Sequence, residues 1–296
     1  MAGIFGLFDY TKPGKGVPKD APEKRPFFLF FELLWRKLSQ IILLNLIYFI
    51  ILLPLLTAVY FIVYGFIFSR LQQAGADAVA QTGVNFSEVT VPALPGLLLA
   101  AARAIPAVLR YALLAASVVL YGPASCALAF MLRNFVQQQH VWISDFFERL
   151  RQNFKQGLAL GLLDVFLLVL LIFNITITGG TGFMVLTVVQ YMSMALLFLY
   201  LLMRHYLFIM AVTFELKLGQ LLKNAIILSG AGFLRNILAL GMNAILFFVP
   251  IFLFPVAELL GMPLLLFSLT GFVTMFICFP VLKKYLLNPQ EEIKSC

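Results

Sequence analysis

Apolar residues fall along this chain in six long runs, and the stretches between them carry nearly all the charge. The runs are Gln40–Tyr64, Val108–Leu132, Gly157–Thr178, Phe183–Met203, Ile237–Ala257 and Met262–Leu282. A helix needs roughly 20 residues to cross the hydrocarbon of a bilayer, and each run is about that long. A spanning segment must also satisfy its own backbone groups, which a helix does. Pro54, Pro123, Pro250 and Pro280 lie inside the runs, where neighbouring helices re-satisfy the freed groups. The pattern predicts an all-α polytopic bundle of about six spans.

The intervening stretches differ in kind. Residues 1–38 read as a tail rich in proline, glycine and lysine, ending in an interfacial helix at Phe27–Leu38 whose aromatics suit the headgroup region. Residues 39–284 form the six-span domain, and 285–296 a second short tail. An insertion at about 69–107 begins polar and ends in Pro95–Ala107, which is too short to span and reads as an interfacial or re-entrant helix. Thr178–Gly182 and Glu258–Gly261 read as tight turns. Leu150-x-x-Asn153 is echoed by Leu221-x-x-Asn224, each before a span. Duplication and chance both account for so short a match.

Composition agrees with this picture. Of 296 residues 62% are hydrophobic and 11% charged, and the mean hydropathy is +1.00. Soluble domains carry about 25% charged residues, so lipid must be part of this chain's solvent. A net charge of +8 suggests nucleic acid until its placement is considered. Lys12, Lys15, Lys19, Lys24, Arg25, Arg36 and Lys37 precede the first run. Arg133, Arg149, Arg151 and Lys155 follow the second, and Arg204, Lys217, Lys223 and Arg235 the fourth. Lys283, Lys284 and Lys294 follow the sixth. Only Arg70, Arg103 and Arg110, the last of them at the start of the second run, fall on the alternate side. By the positive-inside rule both termini are expected in the cytoplasm, with lipid as the partner and nucleic acid excluded.

Little chemistry is visible. Cys126, Cys278 and Cys296 have no disulfide or zinc spacing. His140 and His205 have no acid cluster beside them. No phosphate-binding, metalloprotease or nucleophile-elbow motif occurs, so no catalytic residue, metal or cofactor is expected. Nor does a short early apolar segment of the kind that opens a signal peptide.

Two constellations stand out. Asp145–Gln156 reads as one amphipathic helix, with Phe146, Phe147, Leu150 and Phe154 on one face and charges on the other. Asp145, Phe146, Phe147, Arg149, Arg151, Asn153, Phe154 and, in the second loop, Asn224 are candidate partner-binding residues. The plainer reading is a helix lying in the headgroup layer. Within the spans, Asp164 is the one acid, and Asn45 and Asn243 fall at similar depth. An acid there marks a solute or proton site by default. The plainer reading is hydrogen bonding between helices, with Asp164 held by the asparagines. Gly157 and Gly161 suit close helix packing or a partner contact.

Leu43–Leu46 (LLNL) with Pro54–Thr57 (PLLT), Gly122-Pro123-Ala124, Leu132–Phe135, Asp145–Gln156, Arg204-His205-Tyr206 and Leu221-x-x-Asn224 together resemble the YesL-like bacterial membrane proteins. The resemblance runs from about Glu32 to Lys284. It departs where some 65 residues separate Thr57 from Gly122, against an almost direct step in the family pattern. The family is described as a domain of unknown function. Its frequent place beside carbohydrate ABC importers in Gram-positive bacteria implies a cell-membrane accessory subunit that binds importer permeases. The alternative is a small-solute transporter or channel built on a polar layer around Asp164.

Overall fold

The computed structural model describes residues 25–82, 106–178, 183–253 and 261–287. The tail before residue 25, the bulk of Pro95–Ala107, most of both expected tight turns and the C-terminal tail lie outside these. The chain divides into two compact units, Met1–Arg36 and Lys37–Cys296.

All regular structure among the described residues is helical. In order the helices are α1 (Pro26–Thr82), α2 (Ala107–Val136), α3 (Ile143–Gln152), α4 (Phe154–Thr178), α5 (Met184–Ala211), α6 (Leu218–Ala231), α7 (Phe233–Leu253) and α8 (Phe267–Leu282). Wide π turns at Met262–Leu266 and Lys283–Leu287 flank α8. Among the described residues, six segments are long and apolar enough to cross a membrane: Pro26–Tyr60, Ala107–Val136, Phe154–Thr178, Met184–Ala211, Phe233–Pro250 and Met262–Leu287. The protein is therefore a multi-pass helical membrane protein, as the apolar runs predict.

Among the boundaries that differ from the expectation, three change how a segment reads. Phe27–Leu38 is the start of α1 rather than a separate interfacial helix, and Phe27, Phe28, Phe31 and Trp35 are exposed on it. At its other end α1 continues past Tyr64 to Thr82, into the expected insertion. The third difference is at Asn153. The Asp145–Gln156 segment is not one helix, because Asn153 ends α3 and Phe154 opens α4. Both the backbone N–H and the side-chain Nδ2 of Asn153 donate to Arg149 O, satisfying a carbonyl that the end of α3 would leave open. Phe154 thus belongs to a span.

The second unit is organised around α2. In its apolar window 61% is buried, against 22% for α4, 17% for α5 and 11% for α7, so α2 is the central helix and those three face outward on one side. The reason lies in its sequence. Gly122 to Ala129 (GPASCALA) is a run of mostly small residues, all buried, and small side chains let helix backbones approach. Apolar area gives little drive for packing in lipid, so this close approach must contribute much of it.

Polar side chains then pin the irregular places. Pro263 sits within the π turn Met262–Leu266. Fully buried Asn45 donates from Nδ2 to Met262 O (2.9 Å) and Pro263 O (2.7 Å). Its Oδ1 accepts from Ser268 N–H (2.8 Å), so one amide serves three backbone groups. Tyr48 and Ser125 share a hydroxyl hydrogen bond of 2.8 Å, and Ser117 donates to Ile51 O.

Candidate functional site

Three helices meet around Asp164. Gly157 and Gly161, four residues apart on α4, face Gly122 and Pro123 on α2. An ideal Cβ at Gly161 would lie 2.5 Å from Gly122 Cα, and one at Gly157 would lie 2.8 Å from Pro123 Cα. The backbones are in contact, which only glycine allows. This face is spent inside the bundle and is not presented to a partner. Asp164 follows Gly161 by three residues and so shares its side of α4. The close crossing brings its carboxylate up to Tyr121, one residue before Gly122. On α5, Tyr200 and Arg204 are four apart and reach the same carboxylate from the other flank.

The resulting network is closed. Arg204 Nε donates to Asp164 Oδ1 at 2.9 Å and Oδ2 at 3.0 Å. Tyr200 donates to Oδ1 at 2.5 Å, and Tyr121 donates to Oδ2. Arg204 Nη2 donates to Tyr121 Oη at 2.6 Å. Asp164 has no exposed surface, whereas the Arg204 side chain is 37% exposed. A lone carboxylate in hydrocarbon costs several kcal/mol. Here both of its oxygens are engaged by a guanidinium and two hydroxyls, the full satisfaction that a buried ion pair requires.

The asparagines take no part in this. Asn45 is held at the π turn before α8, and Asn243 Nδ2 donates to Thr274 Oγ1 at 2.7 Å. The expected layer of Asn45, Asp164 and Asn243 is therefore three separate contacts. The charge of Arg204 displaced the asparagines, because a guanidinium neutralises the carboxylate and an amide does not. Arg204 itself was expected in a loop, after a span ending at Met203. With Asp164 as counter-ion it stays within α5, which runs on to Ala211. Tyr121, Tyr200 and Arg204 went unrecognised as a site. A clue was present: one basic residue inside an apolar stretch, one span away from the one buried acid.

At the loop end of the bundle the candidate partner residues are divided between inside and outside. Asp145 accepts from the Trp142 backbone N–H at 2.9 Å, capping the start of α3. Phe146 is fully buried. The Arg149 guanidinium lies 4.4 Å from the Phe130 ring of α2, and Arg133 packs over the same ring at 5.1 Å. Arg133 also donates to Val212 O and Thr213 Oγ1, and Gln156 donates to Leu216 O, tying the α2–α3 and α5–α6 regions to one end of the bundle. Phe154 and Asn224 are half-buried, and Asn153 is the cap already described. Phe147 (48% exposed) and Arg151 remain on the surface, as does Trp142 (68%) at the start of α3. Trp142 was not among the candidates, although an aromatic just before an amphipathic helix is a visible signal.

This connection between spans is also part of a recognisable stretch of sequence. Residues 41–175 match the family model described as a protein of unknown function, DUF624. The DUF624 match takes in Asn45, Tyr121, α3 and Asp164, and stops before Tyr200 and Arg204. Half of the buried network thus lies beyond it. No curated protein and no solved structure matches the chain.

Proposed function

We propose that this chain is a non-enzymatic accessory subunit of a bacterial cell membrane, bound through α3 to the permease subunits of a carbohydrate ABC importer. The observation that carries the docking role is the construction of α3. Phe146 is buried, Arg149 packs on Phe130 and the Asp145 cap fixes the start of the helix, so Trp142 at that start and Phe147 and Arg151 along α3 are exposed on an ordered element. Tryptophan and arginine are enriched at interface hot spots, and a pre-ordered edge loses less entropy on binding. The resemblance to YesL-like proteins supports the choice of partner and a Gram-positive source.

The test is affinity purification of the tagged protein from its native host, grown on an inducing sugar and extracted in mild detergent. Permease subunits should co-purify with the wild type. The triple variant Trp142→Ala, Phe147→Ala, Arg151→Glu should retain at most a tenth of them with its melting temperature unchanged. Recovery of the wild type alone, or equal recovery by the variant, sinks the proposal.

This reading places α3 in the cytoplasm. Arg133, Arg149, Arg151, Lys155, Lys217, Lys223 and Arg235 gather at the end of the bundle that carries α3 and α6, and the positive-inside rule assigns that end to the cytoplasm. In intact cells a membrane-impermeant thiol reagent should therefore label a cysteine introduced at Ser87 and leave Cys296 unlabelled. The reverse pattern would invert the orientation.

The alternative, a small-solute transporter or channel, gains nothing from Asp164, whose oxygens are all occupied. The observation that favours it is a cavity beside Arg204.

A further inference from the structure

At the end of the bundle that carries α3, two guanidiniums share one aromatic ring. Arg149 of α3 lies 4.4 Å from the centre of the Phe130 ring, and Arg133 of α2 lies 5.1 Å from it. Phe130 is buried, whereas both arginines are half-buried and keep some surface open. A ring face attracts a cation and helps to hold it in place. It does not neutralise the cation, and the charge of Arg149 acts on Arg133.

No carboxylate balances this pair. Among the described residues, neither arginine forms an ion pair. Arg133 donates to Val212 O, Thr213 Oγ1 and Asn134 Oδ1, all neutral acceptors. Arg149 donates from Nη1 to Gln152 Oε1 at 2.8 Å, also neutral. Of the acids on α3, Asp145 caps the helix start and Glu148 accepts from Gln152 Nε2. Glu148 is next to Arg149 in sequence, and adjacent residues of a helix do not face each other. The Nε and Nη2 donors of Arg149 have no partner among the described residues. Together they form the fork by which a guanidinium takes a carboxylate or a phosphate through two parallel bonds.

The level of the pair in the bilayer selects between those anions. Helix α2 has 30 residues, with Arg133 in its last turn. At 1.5 Å per residue that is about 45 Å, the thickness of a bilayer with its headgroups. Arg133 and the ring it shares with Arg149 therefore lie at the level of the lipid phosphates. We propose that Arg149, Arg133 and Phe130 form a site for the phosphate of one anionic phospholipid on the cytoplasmic side. The Arg149 fork receives the phosphate, Arg133 adds the second charge, and Phe130 holds both guanidiniums in position. Basic pockets between spans on the cytoplasmic side suit anionic headgroups. A zwitterionic lipid is disfavoured, because two guanidiniums without a carboxylate repel its ammonium group. The site uses neither Trp142, Phe147 nor Arg151, so it stands or falls apart from permease docking.

The test reconstitutes the full chain in nanodiscs holding equal amounts of phosphatidylglycerol, phosphatidylethanolamine and phosphatidylcholine, and counts retained lipids by native mass spectrometry. The wild type should keep one phosphatidylglycerol, enriched roughly tenfold over phosphatidylcholine, the effect of one charge-assisted fork. Arg149→Gln should return the retained lipid to the composition of the mixture. Arg149→Lys keeps the charge without the fork and should fall between the two. Lys155 and Lys223 are exposed at the same end of the bundle. The double variant Lys155→Gln, Lys223→Gln should therefore keep the full enrichment. The proposal is overturned if phosphatidylcholine is retained as well as phosphatidylglycerol, or if the enrichment is unchanged by Arg149→Gln or by Arg149→Lys. It is equally overturned if the lysine variant loses as much as Arg149→Gln, which would assign the effect to surface charge in general. Release of the lipid by millimolar glycerol 3-phosphate would make this a site for a soluble phosphate and overturn the lipid.

Discussion

Arg204→Leu should destabilise the protein by about 3–5 kcal/mol, the usual cost of removing one partner of a buried ion pair. Asp164→Leu should cost less, about 1–2 kcal/mol. The asymmetry follows from exposure. Asp164 has no surface of its own, so without Arg204 it becomes a carboxylate in an apolar interior with only two hydroxyls to hold it. Arg204 is 37% exposed on its side chain and has a long stem, so without Asp164 it can turn its charge toward water or the cavity. Asp164→Asn should fall below both, because an amide oxygen still accepts from Arg204 and the tyrosines. In the double variant Arg204→Leu, Asp164→Leu both charges leave together, and most of the loss should be recovered. Reversible unfolding of the four variants in one detergent system measures this. Equal losses for the two single leucine variants would mean that the network is not governed by the burial of Asp164.

The largest steric effect is expected at Gly122. A Cβ there would run into the Gly157 carbonyl oxygen and would lie 2.7 Å from Gly157 C and 2.8 Å from Gly161 Cα. These are all backbone atoms of α4 and cannot rotate aside. Gly122→Ala therefore forces α2 and α4 apart, a cost of about 3 kcal/mol or more at the upper end of overpacking. It also draws Asp164 away from Tyr121, because Asp164 sits one turn beyond Gly161. The comparison is Gly241→Ala on α7, where nothing lies within 4 Å of the added atom. That change should be neutral, or should stabilise by about 0.5–1 kcal/mol through helix propensity. Thermal unfolding in nanodiscs separates the two. If Gly122→Ala melts with the wild type, the α2–α4 crossing is looser than the contact requires.

The same contacts bear on the two functional readings. Asp164, the residue that most invited a transport role, is bound on every side and acts as a clasp between α2, α4 and α5. The cavity beside Arg204 is a separate feature of the second unit, and Asp164 does not line it.

Several features were legible in the residues alone. Six apolar runs predicted the helical bundle, because hydrocarbon leaves a backbone few ways to satisfy itself. Gly157 with Gly161 was readable as a close-packing pair, because small-residue spacing is a local pattern. Hydrophobicity alone placed Arg204 outside the membrane and joined α3 to Phe154. What reversed both was tertiary. Arg204 stays in its helix because a carboxylate on another helix neutralises it. Asn153 divides the loop because its amide closes the end of α3 while α4 turns into the bundle. Which side chains meet Asp164 depended on the depth and rotation of α2, α4 and α5 against one another. Those are set by the backbone contact at Gly122, Gly157 and Gly161, residues 35 to 39 positions apart along the chain. A hydropathy pattern states that each helix crosses the bilayer, and carries no information about which face it turns to its neighbours.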